Sequence, residues 1–346
     1  MTPDQSTYRE SGVDIDAMNR GLRGIRDHVR STYNDCVLTD VGSFGGMFKL
    51  DTSGMSEPIL VSSIDGVGTK VRVASALGIY NTIGADLVAH CVNDILVQGA
   101  RPLFFLDYFA TARLAPEILG EVVQGVADGC RRASCVLIGG ETAEMPGVYE
   151  EGEYDLAGCI VGVVDRAQAL PRGIIGAGDS VIGLASNGLH TNGYSLARHA
   201  LFDIAGLMPA SRPTELGGRT VGDALLDTHR CYAPSVLPLL GEYRVKAIAH
   251  ITGGGLYDNI PRVLPPDCAV RLHRASWTVP PIFGLIQKAG SVSVTEMHRV
   301  FNMGIGLVLI ASTTEAHGII ESLTASGETA MLIGEVCTGS PEVLIQ

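Results

Sequence analysis

The residues best suited to chemistry lie in the segment Ser62 to Lys70, which reads S-S-I-D-G-V-G-T-K. It follows an apolar run, Ile59 to Val61, that predicts a strand. Glycines can bring bare backbone N–H groups close to a polyphosphate, an acid can hold a divalent ion, and a lysine can offset phosphoryl charge. The spacing is not that of a Walker A loop, and a plain turn is the alternative. The candidate nucleotide contacts here are Asp65, Gly66, Gly68, Thr69 and Lys70.

Two further carboxylates could share a metal ion with this segment. Asp94 lies beside the apolar stripe of a predicted helix, Ile83 to Gln98, where an unpaired charge would be costly. Glu141 belongs to an acidic, glycine-rich segment, Gly139 to Gly147, that follows a predicted buried strand. Both could be metal ligands. Helix–helix hydrogen bonding for Asp94 and a solvated turn for Glu141 are the alternatives.

Two histidines stand at glycine-rich loops in the second half of the chain. His190 lies in the loop Ser186 to Gly193, and His250 opens the loop His250 to Gly255. Each loop follows a predicted strand and precedes a predicted helix, an arrangement that favours anions because the first-turn N–H groups lack internal partners. Either histidine could act as a general base, while a structural hydrogen bond is the alternative.

A flexible segment near the N-terminus reads Gly42-Ser43-Phe44-Gly45-Gly46. It is too polar for a core and suits a loop that closes over a ligand, with Gly45 and Gly46 as the expected contacts. A hairpin turn has similar weight as an interpretation.

Apolar residues that recur every three to four positions predict helices, and those that recur every two positions predict strands, in both halves of the chain. The first helix is predicted over Asp14 to Thr32, from apolar residues spaced three and four apart. A Gly-, Pro- and Arg-rich stretch follows residue 164 and resembles a linker. We therefore predict an α/β protein of two domains, residues 1–168 and 169–346, facing a shared cleft.

Composition limits the partners. A formal net charge of −12 over 346 residues argues against nucleic acid, which requires clustered Lys and Arg. No apolar run is long enough to cross a bilayer, and the polar N-terminus shows no secretory signal. The eight cysteines are dispersed without a C-x-x-C pair, which is typical of reduced thiols in a cytoplasmic protein.

The motifs, taken in order, resemble those of the phosphoribosylformylglycinamidine cyclo-ligase family, the aminoimidazole ribonucleotide synthetases of purine biosynthesis. The resemblance covers almost the whole chain. It is carried by Tyr8 to Asn19 (Y-R-E-S-G-V-D-I-D-A-M-N), Asp65 to Lys70, Cys91 to Gln98 (C-V-N-D-I-L-V-Q), Gly139 to Gly147 (G-G-E-T-A-E-M-P-G), Gly188 to Arg198 (G-L-H-T-N-G-Y-S-L-A-R) and His250 to Arg262 (H-I-T-G-G-G-L-Y-D-N-I-P-R).

The resemblance implies a homodimer in which the N-terminal sheets of two subunits close into a barrel, with a mixed sheet and helices in the C-terminal domain. It implies that ATP activates the formamide oxygen of formylglycinamidine ribonucleotide, after which a substrate nitrogen closes the imidazole and phosphate leaves. The residues that match the family fall into four groups. They are Asp65, Asp94 and Glu141 for Mg²⁺; Gly45, Gly46, Gly66, Gly68, Thr69 and Lys70 for ATP; Asn192, Gly193 and Tyr194 for the substrate phosphate; and His190, His250 and Lys70 for catalysis.

Two departures from the family pattern fall in the first helix. Met18 stands where the family usually has glycine, and Arg26 stands where a lysine is common. Arginine keeps the charge but changes a point donor into a planar fork. The alternatives to the cyclo-ligase are another phosphoryl-transfer enzyme of the same superfamily and a catalytically silent nucleotide-binding protein.

Overall fold

The computed structural model describes residues 14–346, so the first part of the Tyr8 to Asn19 motif lies outside the described residues. In chain order the helices are α1 (Ile15–Arg30), α2 (Lys70–Leu77), α3 (Asn81–Leu96), α4 (Pro116–Arg132), α5 (Tyr194–Arg198), α6 (Val221–Leu225), α7 (Ala233–Glu242), α8 (Gly255–Asn259), α9 (Pro281–Gly290), α10 (Val294–Val300) and α11 (Thr313–Ala325). The strands are β1 (Pro58–Gly66), β2 (Arg101–Thr111), β3 (Val136–Glu144), β4 (Tyr154–Asp165), β5 (Ser180–Ala185), β6 (Ala247–His250), β7 (Cys268–Leu272), β8 (Ile305–Ala311), β9 (Ala330–Thr338) and β10 (Val343–Ile345).

The α1 helix confirms the first helix prediction. The Asp14 side chain accepts hydrogen bonds from the backbone N–H groups of Asp16 and Ala17, which satisfies donors that have no partner inside the helix. Ile25 and Val29 are buried, whereas Ile15 and Leu22, which share the same apolar spacing, are 58% and 40% exposed.

Two sheets form the frame of the molecule. The first has the strand order β1-β4-β2-β3, with β2 and β3 parallel and the other pairs antiparallel. The second has the order β10-β7-β9-β5-β8-β6 and is antiparallel except for β10 against β7. The α/β class with a mixed C-terminal sheet is therefore confirmed, whereas the boundary between residues 168 and 169 stays a prediction.

The α3 helix lies at the centre of the molecule. It packs on the first sheet on one side and on α4, α7 and β6 on others, and nearly all of its residues are buried. Its crossing with α4 is close because glycines face each other: a Cβ on Gly84 would lie 2.3 Å from the Val122 carbonyl oxygen. A helix buried on every side can present polar residues only to specific partners.

Two segments expected as loops are strands. Residues 62–65 continue β1 and pair with β4, so the turn itself is confined to residues 67–69. Residues 139–144 continue β3 and pair in parallel with β2. In both cases the pairing partner lies far away in sequence. Gly66, Gly139 and Gly140 occupy strand positions, where backbone hydrogen bonds outweigh local preference, and Gly68 remains in the turn.

A fully buried ion pair of the first half is hydrogen-bonded to the second half. Lys70 Nζ lies 2.7 Å from Asp86 Oδ2, and neither side chain is exposed to solvent. The same ammonium donates to the carbonyl oxygens of His190 at 3.1 Å and Asp227 at 2.9 Å. The other carboxylate oxygen of Asp86 accepts from the backbone N–H of His229 at 2.6 Å.

None of the helices within residues 14–346 is long and apolar enough to cross a membrane.

We expect Lys70→Met to lower the free energy of unfolding by about 3–5 kcal/mol, because it leaves the Asp86 carboxylate buried and unpaired. Replacing both partners, as Lys70→Met with Asp86→Leu, should recover much of the loss. Denaturant unfolding measures the difference. The matched control is Lys288→Met, whose ion pair with Glu215 is exposed and should change stability by less than about 1 kcal/mol. Equal losses for Lys70→Met and Lys288→Met would contradict a structural role for the buried pair.

Candidate functional site

A cavity of about 690 Å³ opens where the first sheet meets the second half of the chain. Asp65 reaches it from the end of β1, His90 and Asp94 from successive turns of α3, and His250 from the end of β6. The remaining lining residues are Val61, Ser62, Ser63, Val97, Gln98, Asn192, Ile248, Ala249, Thr252, Gly253, Asn259, Arg262 and Val263. The site is therefore assembled from both halves.

Two carboxylates flank one imidazole in this cavity. His90 Nε2 lies 2.9 Å from Asp65 Oδ2 and 3.8 Å from Asp94 Oδ2. Burial disfavours the charged ring, but the hydrogen bond to Asp65 and the charge of Asp94 outweigh it, so the pKa of His90 is raised. Burial also opposes ionisation of Asp65, yet the His90 hydrogen bond holds the pKa of Asp65 below its ordinary value. Asp65 is thus ionised near neutral pH.

Asp94 is held from the other side by the second half of the chain. His250 Nδ1 donates to Asp94 Oδ1 at 2.8 Å, and the Ser63 hydroxyl donates to Asp94 Oδ2 at 3.1 Å. Burial raises the pKa of Asp94, but the His250 hydrogen bond outweighs this effect and the net shift is downward. Two ionised carboxylates that face one cavity form an oxygen donor set suited to Mg²⁺.

The sequence thus indicated Asp65, Asp94 and His250, which the structure brings together, but it missed His90. The signal was present, because His90 precedes Asp94 by four residues and therefore lies on the same face of α3. Asp94 stood out because a charged group beside an apolar stripe needs a partner, whereas a neutral histidine at such a position does not.

The turn after β1 has the positive φ expected of a glycine, but it does not bring Lys70 to the cavity. Gly68 has a positive φ of 55°, and Thr69 is half-buried at the start of α2, where its hydroxyl lies 3.2 Å from Ser195 Oγ. Lys70 instead points inward to Asp86. Its hydrogen atoms are taken up by that carboxylate and two carbonyl oxygens, so this placement does not favour the expected contact with a phosphate.

The residues around the predicted α5 N-terminus separate into two groups. Asn192 lines the cavity. Tyr194 is only 2% exposed, and its hydroxyl donates to the Leu225 carbonyl oxygen. Gly193 adopts a positive φ of 81° in contact range of Phe301, and α5 itself has only five residues. His190 is 2% exposed and is absent from the described lining of the cavity.

A separate cavity of about 590 Å³ lies between α1, the segment 40–46 and the β2–β3 edge of the first sheet. Gly45, Gly46 and Glu141 line it together with Arg26 and Asp107. Its walls also include the apolar residues Met18, Leu22, Ile25, Val29, Leu106, Val123, Leu137 and Ile138. The mixed lining can hold a flat apolar group beside a few polar contacts.

Glu141 is too far from Asp65 to share an ion with it in one protomer. Glu141 pairs with Tyr108, Tyr108 with Ala157, and Ala157 with Gly66, which places them in one row across the sheet. Three strand spacings of about 4.8 Å separate β3 from β1, or about 14 Å. Within one chain the structure places Asp65 and Asp94 at one cavity and Glu141 at another, and the metal ligands stay a prediction.

Sequence reasoning also missed Asp107, a lone acid in the apolar strand β2. Its row runs through Gly158 to Asp65, and the side chain lies against Gly140, where a Cβ would fall 2.1 Å from Asp107 Oδ1. Burial raises the pKa of Asp107 to about 7. Its position within an otherwise hydrophobic run was the available signal.

Family models match both halves of the chain. The model of the AIR synthase related protein N-terminal domain matches residues 50–164, and that of the C-terminal domain matches residues 176–345. Among curated relatives, a phosphoribosylformylglycinamidine cyclo-ligase from Syntrophotalea carbinolica is 51% identical over 336 residues, covering 97% of this chain and 96% of the relative. One from Geobacter metallireducens is 51% identical over 335 residues, covering 95% and 94%.

Solved structures with the same fold are more distant in sequence. A thiamine-monophosphate kinase from Stenotrophomonas maltophilia superposes with a TM-score of 0.69 at 17% identity, covering 93% of this chain and 96% of the kinase. The hydrogenase maturation protein HypE in complex with ATP superposes with a TM-score of 0.62 at 19% identity, covering 93% and 90%. At such identities the likeness shows the fold alone.

We expect the stability of the protein to depend on pH through Asp107. Because its pKa is raised in the folded state, the folded protein holds this proton more tightly than the unfolded chain does. Its contribution is therefore fully present at low pH and is lost as the pH rises towards about 7, by at most about 1.4 kcal/mol per pH unit. Denaturant unfolding between about pH 5 and about pH 8 should show this loss in the unmodified protein and not in Asp107→Asn.

The control for this experiment is Asp155→Asn, which changes an exposed acid of the same sheet. It should keep the pH dependence of the unmodified protein. Parallel stability curves for Asp107→Asn and the unmodified protein would rule out the raised pKa.

Proposed function

The chain belongs to the AIR synthase related family of phosphoribosylformylglycinamidine cyclo-ligases, and from that premise we propose how its residues carry the reaction. It is an ATP-dependent ligase of purine biosynthesis that closes formylglycinamidine ribonucleotide to aminoimidazole ribonucleotide, releasing ADP and phosphate. The observation that carries the proposal is the pair of ionised carboxylates, Asp65 and Asp94, facing one cavity at the junction of the two halves.

Asp65 and Asp94 would hold Mg²⁺. Their donor set fits the ion, because both are carboxylates that hydrogen bonds from imidazoles keep ionised. When bound, the ion neutralises the phosphoryl oxygens of ATP. His90 and His250 orient the two carboxylates, so each is a positioning residue for this site.

We assign the nucleotide to the elements around the first sheet. The Gly45 and Gly46 segment covers the cavity at the β2–β3 edge, where Glu141 offers a polar contact. The turn at Gly68 and Thr69 would offer backbone N–H groups to phosphates, whereas the Gly66 N–H already donates to Asp65 Oδ1. Lys70 directly follows that turn and holds it in place through its ion pair with Asp86.

We call the cavity of about 690 Å³ that contains Asp65 and Asp94 the metal cavity. The substrate phosphate would lie near Asn192 and Arg262, which line this cavity from the second half. Arg262 supplies a cation with a planar fork of donors suited to a phosphate. Gly193 and Tyr194 would contribute backbone groups, since the Tyr194 hydroxyl is occupied.

His250 is the proposed proton acceptor when the substrate nitrogen attacks. It lines the cavity, whereas His190 does not belong to the described lining. Burial lowers the pKa of His250, so its ring is neutral and can accept a proton at Nε2, the nitrogen not bonded to Asp94. The Asp94 carboxylate then stabilises the resulting imidazolium, while the enclosed cavity supplies proximity.

The open face of the first sheet supports the proposed dimer. Ile64 and Leu106 both pair with Cys159, so the three side chains form one row on the face away from α3. Ile64 is 72% exposed and Leu60 is 61% exposed. An apolar, uncovered sheet face is an interaction surface, and a second sheet that closes a barrel would cover it.

We expect Asp94→Asn to abolish most formation of aminoimidazole ribonucleotide while leaving the protein folded, because it removes charge opposite the ion at nearly constant volume. Diazo coupling of the product and ADP release, measured with Mg-ATP and formylglycinamidine ribonucleotide, test this. Asp203→Asn, in an exposed pair with His199, is the control and should retain activity. Turnover of another acceptor by the unmodified protein, without this product, would refute the assignment.

We expect Ile64→Lys to convert the dimer to monomers, because it places a charge in the row that the second sheet would cover. Sedimentation gives the mass in solution. Leu332→Lys makes a similar change at a 52% exposed position of β9 and should leave the mass unaltered. A dimer that survives Ile64→Lys would place the interface elsewhere.

A further inference from the structure

Four histidines converge at the inner wall of the metal cavity, and each is at most 6% exposed. They are His90, His190, His229 and His250. Beyond the proposed cyclo-ligase activity, we infer that His229 and His250, joined by His190, form a binding site for a late first-row transition-metal ion such as Zn²⁺. This site is separate from the carboxylate pair proposed for Mg²⁺.

The hydrogen bonds fix which nitrogens are free. Asp94 can only accept, so His250 Nδ1 carries the hydrogen and Nε2 keeps its lone pair. The amide of Asn93 is oriented by its contacts, since Nδ2 donates to the Arg230 carbonyl oxygen and Oδ1 accepts from the Tyr232 N–H. Asn93 Nδ2 therefore donates to His229 Nε2 at 3.3 Å, which leaves that nitrogen an acceptor as well.

Two acceptor nitrogens consequently face each other. His229 Nε2 and His250 Nε2 lie 3.2 Å apart. The hydrogen bonds to Asp94 and from Asn93 leave a lone pair on each of these nitrogens, so no hydrogen lies between them. Two lone pairs at this distance repel, and a cation between them relieves the repulsion.

The separation of these nitrogens matches a tetrahedral metal site. With Zn–N bonds of about 2.0–2.1 Å, two ligands at the tetrahedral angle lie about 3.3–3.4 Å apart. The pair is therefore spaced for zinc without rearrangement of the backbone. Imidazole nitrogens also select zinc, nickel, cobalt and copper over magnesium.

His190 provides the third nitrogen. One ring nitrogen from each of His190, His229 and His250 lies within 4.8 Å of the others. His190 Nδ1 is buried without a hydrogen-bond partner, which is costly. His190 Nε2 accepts from the Asn187 N–H at 3.3 Å, so Nδ1 carries the hydrogen of the neutral ring. The His190 ring also stacks on His229 with centroids 4.0 Å apart. The ring must therefore turn, and its hydrogen must move to Nε2, before Nδ1 can bind the ion.

The surrounding contacts are those of a metal site. A histidine ligand usually donates its second nitrogen to a carboxylate or another acceptor, which fixes the ring. His250 does so to Asp94, and His229 Nδ1 lies 3.3 Å from the Thr191 hydroxyl. An ion at Nε2 of His250 would occupy the lone pair assigned to proton transfer, so zinc should inhibit the cyclo-ligase.

The ion has two routes to this site. His250 lines the metal cavity, and His229 lines a second cavity of about 380 Å³ on the opposite side. The histidine pair is thus the partition between two cavities.

The test is a titration of chelator-treated protein with Co²⁺, and with Zn²⁺ in competition, without ATP or substrate. We expect one ion per chain with the visible absorption of four-coordinate cobalt. His229→Asn should remove those bands and weaken zinc binding by more than about 100-fold, the upper end for loss of an outer partner. Because no turnover is measured, the result is independent of the cyclo-ligase assay.

Controls separate this site from other zinc ligands. His199→Asn and His317→Asn remove exposed histidines that pair with carboxylates four residues away, and both should bind cobalt unchanged. Asp65→Asn should also keep the bands. Loss of the bands in Asp65→Asn with retention in His229→Asn would overturn the proposal, because the ion would then lie at the carboxylates.

A measurement on the unmodified protein covers the case in which His229→Asn does not fold, which thermal unfolding would reveal. X-ray absorption of the zinc-loaded protein should show imidazole nitrogens at about 2.0 Å. A shell of oxygen ligands only would refute the site.

Discussion

The buried ion pair between Lys70 and Asp86 is the contact on which the rest of the structure depends. It lies where the turn after β1, the α3 helix and the loops of the second half meet. Burying two charges is expensive, and attraction repays the cost only when further hydrogen bonds satisfy the remaining donors and acceptors. Here carbonyl oxygens of His190 and Asp227 supply them, so the pair is satisfied only while both halves are docked.

This docking creates the site. The carboxylates belong to β1 and α3, whereas His250 and Asn192 come from the second half, and neither set encloses a cavity alone. The imidazoles and carboxylates then hold each other through contacts that cross the junction, as His250 does with Asp94. A change in the relative position of the halves would therefore alter both the ionisation of Asp94 and the orientation of the histidines.

The local parts of this arrangement were predictable from the sequence, and the nonlocal parts were not. Apolar periodicity gave α1 and α3 because it reflects contacts within a few residues. Asp65 and Asp94, which line one cavity, could be identified because carboxylates at a turn and beside a buried stripe each need a partner, while their role as metal ligands stays a prediction. Lys70 shows the limit: its type and spacing suit a phosphate, but its partner, Asp86, is identified only by the packing of α3. His229 carried no local signal, since its neighbours in space are 21 residues or more away in sequence.

Charge balance links the fold to the proposed chemistry. The protein carries a net charge of −12. Its metal cavity contains two ionised acids, and among the described residues that line it Arg262 is the one lysine or arginine. A nucleotide triphosphate and a substrate phosphate would add several negative charges to that enclosure. Coulomb repulsion grows as water is excluded, so these anions cannot share the cavity unless cations enter with them. Lys70 is bound to Asp86 and cannot supply this positive charge, and the Mg²⁺ that we propose at Asp65 and Asp94 would supply it.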